Sequence, residues 1–162
     1  MTNRTTAERK SERELVVTRT FNGPARIVYE AWTTPALFKR WWIPKSSGMV
    51  LLSCEVDARV GGKYRFEMSH PSAPTNMVFF GKYLDVVPQS RLVWTNEESP
   101  DGAVTTVTFQ EMDGKTLFML HELYPSKEAL DRSITGMEGG MEETFDQLDQ
   151  LLAELAASKR PF

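Results

Sequence analysis

The hydrophobic period of this chain changes along its length, and each change marks an element. Leu15, Val16, Val17 and Phe21 in a β-branched setting predict a first strand, ended by the turn signal Asn22, Gly23, Pro24. Pro24 then opens a pattern of three- and four-residue steps through Ile27, Val28, Ala31 and Trp32, one face of a short helix. A second helix is predicted from Pro35 through Trp41, where Leu37, Phe38, Trp41 and Trp42 form an apolar surface before Pro44 stops it. Six strand-like runs follow: Val50 to Val56, Lys63 to Ser69, Met77 to Val87, Arg91 to Asn96, Val104 to Glu111 and Thr116 to Leu123. Gly61 with Gly62, Pro88, the Ser99 to Gly102 stretch, and Asp113 with Gly114 connect them, the last pair being a type I′ hairpin signal. Finally Ile134, Met137, Met141, Phe145, Leu148, Leu152 and Leu155 alternate steps of three and four, the mark of a long amphipathic helix.

This order predicts an α+β fold: a curved antiparallel sheet of about six or seven strands, two short helices after the first strand, and a long C-terminal helix covering the apolar face of the sheet. Residues 1–11 are polar and without an apolar period, so they are expected to form a disordered tail before a single domain at 12–158.

The two-residue period of a strand puts Tyr64, Phe66 and Met68 on one face, opposite Lys63, Arg65 and Glu67. Phe79, Trp94, Phe109, Met119 and His121 are further candidates to line an interior site, and on the long helix Met137, Met141 and Phe145 join them. Met137 and Met141 lie one turn apart beside Gly136 and Gly140, so space and deformable side chains coincide there. Solid core packing is the competing reading for each of these residues, and close helix-to-sheet packing is the competing reading for the glycines. In the last strand Leu117, Met119, His121 and Leu123 alternate with Phe118 and Leu120; both faces are apolar, which leaves the inward face open.

The segment FNGPARIVYEAWTTPALFKRWW resembles the SRPBCC superfamily, in the branch named for the heat-shock protein 90 ATPase activator. DARVGGKYRFEM, GKYLDVVPQSRLVWT and VTFQEMDGKTLFML resemble that family's strands in order, and GMEGGMEETFDQLDQLL stands where its C-terminal helix does. The resemblance spans Glu12 to Ala156. It implies a helix-grip fold, a sheet wrapped around the long helix with a ligand-binding cavity between them. Met137 departs from the pattern, since relatives often carry Trp directly after the helix glycine; a flexible thioether there alters the cavity's shape.

Composition narrows the function. A chain of 162 residues suits one domain, and a net charge of -3 with scattered basic residues gives no footprint for nucleic acid. Apolar runs such as Met49 to Leu52 and Leu117 to Leu120 are far shorter than a membrane span, and the N-terminus lacks the apolar stretch of a secretory signal, so a cytoplasmic protein is expected. Cys54, the one cysteine, excludes an internal disulfide; with Val50, Leu52 and Val56 on its strand face it reads as a buried structural thiol. No metal and no cofactor are expected, because neither His70 nor His121 sits in a ligand-spaced cluster. His70 precedes Pro71 in a turn, which leaves His121 as the one candidate acid or base, against a hydrogen-bonded structural role. Glu122 points to the opposite face from His121, so the two are no catalytic pair.

Three functions remain open: binding or transport of a small hydrophobic molecule; a cyclase, dehydratase or hydrolase working in the same cavity, as found elsewhere in the superfamily; and a chaperone-associated regulatory module, after the branch's name. A homodimer is open too, through Trp41 or Trp42 if either is exposed.

Overall fold

A computed structural model describes residues 5–43, 45–72, 74–97, 100, 102–131 and 140–157, the side chains at 47, 140–142, 156 and 157 excepted. In β2 (Glu14–Phe21) half-buried and buried residues alternate, and Leu15, Val17, Arg19 and Phe21 turn inward. Pro24 caps α1 (Ala25–Thr33), whose Ala25, Ile27, Val28, Ala31 and Trp32 are buried. The second helix, α2 (Pro35–Phe38), ends earlier than the apolar spacing predicts. The backbone N–H groups of Arg40 and Trp41 bond three residues back, to Leu37 and Phe38, which tightens the turn. Trp41 is wholly buried, its indole N–H donating to the Ala31 carbonyl at 3.0 Å, and Trp42 is half-buried against the core.

Six strands then form successive hairpins: β3 (Val50–Val56), β4 (Lys63–Ser69), β5 (Met77–Val87), β6 (Arg91–Thr95), β7 (Val104–Met112) and β8 (Lys115–Leu123). Asp113 and Gly114 join the last two with φ of 53° and 79°, the positive pair a type I′ turn requires. β8 returns beside β2, whose other side carries an edge strand, β1 (Thr6–Arg9), so the sheet order is β1-β2-β8-β7-β6-β5-β4-β3.

That edge strand corrects the expected tail over Thr6–Arg9. β1 (Thr6–Arg9) pairs antiparallel with β2, Thr6 opposite Thr18 and Arg9 opposite Leu15. All four of its residues are exposed; backbone pairing at a sheet edge needs no apolar side chain, which is why hydrophobic pattern misses it. Arg9 also pairs with Asp131 at 2.6 Å, and the hydroxyls of Thr6 and Thr18 are in hydrogen-bond contact.

Residues 127–131 are helical (α3), with Ala129 and Leu130 buried. The C-terminal helix α4 (Gly140–Ala157) buries Phe145, Leu148, Leu151 and Leu152, and Phe145 rests on Phe21 and Phe118 of the sheet. Gly136, Met137 and Gly139 lie outside the described residues, as does the side chain of Met141. Polar clamps hold α4 in place. Buried Arg19 donates to Asp146 at 2.8 Å and to Asp149 at 2.7 Å. Gln147 Nε2 donates to the carbonyls of Trp41 and Ile43, both at 2.8 Å, while its Oε1 accepts from Lys45 N at 2.8 Å. Among the described residues no helix is long and apolar enough to cross a membrane.

Candidate functional site

The inner face of the sheet, which meets α1 and α4, is dominated by aromatic side chains. Tyr64, Phe66, Met68 and Phe109 lie there and are buried, as is Phe145 on α4. Phe145 meets Phe21 and Phe118 edge-on at 5.5 and 5.4 Å, and Phe38 stacks on Phe66 at 4.7 Å. Phe79 and Trp94 share this face but are only half-buried. Phe79 pairs with Phe66 in the β4–β5 ladder and touches Trp42 at 5.9 Å; Trp94 contacts Trp32, Tyr64 and Tyr83.

Met119 and His121 do not join them. In β8 the buried residues are Thr116, Phe118 and Leu120, which sends Met119 and His121 outward, opposite Thr18 and Val16 of β2. Met119 is 39% exposed, and His121 Nε2 lies 2.8 Å from Glu14 Oε2. That contact, with help from Ser11, lowers the Glu14 pKa below its ordinary value. The apolar character of both faces hid this choice; contacts of Phe118 with Phe21, Phe109 and Phe145 decide it.

Glu122, by contrast, turns inward and ends a polar string. Asn96 Nδ2 donates to Thr105 Oγ1 at 2.9 Å, and Thr105 Oγ1 donates to Glu122 Oε2 at 3.1 Å. The Tyr124 hydroxyl donates to Glu122 Oε1 at 2.9 Å. At the other end the Tyr64 hydroxyl donates to the Thr95 carbonyl at 2.6 Å, with Asn96 Oδ1 3.2 Å away. Gly81, opposite Tyr64, allows this approach: a Cβ there would stand 2.0 Å from the Thr95 carbonyl oxygen.

Trp32 sits at the centre of the aromatic cluster, stacked on Phe118 at 5.1 Å and 14° and near Trp41 at 4.8 Å. Its Nε1 is buried and has no hydrogen-bond partner among the described residues. A buried donor left unpaired costs about 1–3 kcal/mol.

Cys54 is half-buried, but not in the setting its neighbours suggest. A β-bulge between Leu51 and Ser53 reverses the alternation of β3. Leu51, Cys54 and Val56 therefore pack on the core, while Val50 and Leu52 are exposed. Burial pushes the Cys54 thiol up to about 11 and raises the Tyr29 and Tyr83 hydroxyls. Among the described residues no cluster of His, Cys, Asp and Glu could hold a metal ion.

The sequence profile described as Activator of Hsp90 ATPase homolog 1-like protein matches residues 22–153. A crystal structure of a Rhodobacter sphaeroides protein is similar over 93% of this chain and 99% of its own, with a TM-score of 0.85 at 24% identity. A solution structure from Staphylococcus epidermidis covers 97% and 96% at a TM-score of 0.76 and 26% identity. That of the AHSA1-like protein from Aeromonas hydrophila covers 89% and 94% at 0.63 and 19%. A search of curated proteins finds no match. The profile takes in α1 through most of α4, and the solved structures share the sheet packed on a C-terminal helix: the chain belongs to the Activator of Hsp90 ATPase homolog 1-like family of the SRPBCC superfamily and has its helix-grip fold.

Proposed function

We propose that this protein binds a small, mainly apolar molecule between the inner face of the sheet and α4. The observation that carries the reading is the half-exposure of Phe79 and Trp94 on a face where Tyr64, Phe66, Tyr83 and Leu92 are buried. Aromatic surface left uncovered on the inner side of a fold is a binding wall, because covering it removes apolar area from water. The Asn96–Thr105–Glu122–Tyr124 string adds the few fixed polar groups that ligand sites of this kind carry. The fold itself is one that commonly binds hydrophobic ligands.

Binding, rather than turnover, is what the described side chains support. His121 faces away from the interior, and the Cys54 thiol is held protonated by its burial. Titration with an apolar naphthalene dye, followed by dye fluorescence, tests the reading. Phe79→Ala and Trp94→Ala are expected to weaken binding by about tenfold each, whereas Met119→Ala on the outer face leaves it unchanged. Equal affinity in all three variants, or a loss confined to Met119→Ala, would overturn it.

A further inference from the structure

Two indoles of this core face the same requirement and meet it differently. Trp41 is wholly buried and its N–H reaches the Ala31 carbonyl. Trp32 is 8% exposed, and its N–H reaches nothing among the described residues. Buried indole N–H groups ordinarily find an acceptor, so an unpaired one in a packed aromatic cluster calls for an explanation.

Of the rings around Trp32, one is partly exposed. Phe118 and Trp41 pack on Trp32, and neither ring offers a strong acceptor. Trp94, half-buried on the inner face, is tilted at 32° with its ring centre 5.9 Å away. Trp94 is therefore the partly exposed ring that borders the residue carrying the unpaired donor. We infer that Trp32 Nε1 is the polar anchor of the ligand site, and that the ligand class is apolar molecules bearing a hydrogen-bond acceptor, such as a carbonyl oxygen, at the end that enters first. The inference rests on the ligand-binding reading above and adds the chemistry that selects the ligand. A pure hydrocarbon would fill the same space and leave the donor unpaired.

Two probes of one shape separate these possibilities: acetylnaphthalene, and isopropenylnaphthalene, in which a methylene group replaces the carbonyl oxygen. Affinities are measured for the wild-type protein, for Trp32→Phe, and for protein carrying at Trp32 the benzothiophene isostere, which keeps the ring size but has no N–H. The ketone's advantage over the hydrocarbon is expected to fall by about tenfold in both altered proteins, with hydrocarbon binding retained by the isostere. The isostere keeps the test decisive should Trp32→Phe fail to fold. In the wild-type protein the Trp32 indole proton should move downfield on adding the ketone and not the hydrocarbon, while the Trp41 indole proton, already bonded, stays in place. An unchanged ketone-to-hydrocarbon ratio in the isostere-substituted protein would overturn the role of Trp32 and leave ligand binding standing. Failure of the wild-type protein to bind either probe would overturn both.

Discussion

Arg19 shows how much of this architecture turns on single side chains. Its side chain is fully buried between β2 and α4, and it serves both Asp146 and Asp149, which are 46% and 15% exposed. Removing the guanidinium leaves Asp149 desolvated without its counter-charge. Arg19→Met is therefore expected to cost about 3 kcal/mol in urea denaturation, and Asp146→Asn less than about 1 kcal/mol, since that carboxylate stays hydrated. Half of this was legible: Arg19 falls in phase with Leu15, Val17 and Phe21, and a charge on an apolar face announces a buried pair. Its partners, 127 and 130 residues away, were not, because nothing local to Arg19 encodes them. Trp32 was likewise readable as a buried residue, whereas the fate of its N–H depends on which carbonyls the fold brings near it.

At the scale of elements, turn chemistry carried more information than the hydrophobic pattern alone. A two-residue turn at Asp113–Gly114 puts Met112 opposite Lys115 and Phe109 opposite Phe118. With Phe109 inward, that register puts Phe118 inward and Met119 and His121 outward, so the turn residues themselves carry the signal for the face of β8. The bulge in β3 has no such signature, so Val50 and Leu52 read as companions of Cys54 when they are not. β1 was missed because ladder hydrogen bonds are invisible to side-chain periodicity.

The turn at Lys45–Ser47 is fastened to α4 through Glu143, whose carboxylate accepts from Ser46 Oγ at 2.5 Å and from Ser46 N at 3.0 Å. The hydroxyl bond first, and the backbone bond after it, lower the Glu143 pKa. A lowered carboxyl pKa gives stabilisation that is complete above its unfolded value of 4.5 and is lost as pH falls through the lower folded value. Amide exchange at Ser46 should therefore remain slow from neutral pH down to that range and accelerate, beyond its intrinsic pH dependence, only in stronger acid. Glu143→Gln should remove the acid step and speed exchange already at neutral pH; an identical profile in both proteins would show that the contact does not hold the turn.

For the molecule as a whole, periodicity and punctuation were enough to predict an α+β sheet-and-helix architecture, because six hairpin strands and one long amphipathic helix admit few other arrangements. The inward face was legible only where a strand has one apolar face, as with Tyr64, Phe66 and Met68. Where both faces are apolar, tertiary contacts decide. Most of the inner aromatic surface is committed to the core, and Phe79 and Trp94 are the nominated residues of the described inner face that remain partly uncovered. The proposed ligand lies against these two. Isotope-filtered NOE spectroscopy of the protein with bound acetylnaphthalene locates the probe. Contacts to Phe79, Trp94 and Phe66 are expected; contacts instead to Val16, Leu117 and Met119 would put the probe on the outer face and overturn the proposal.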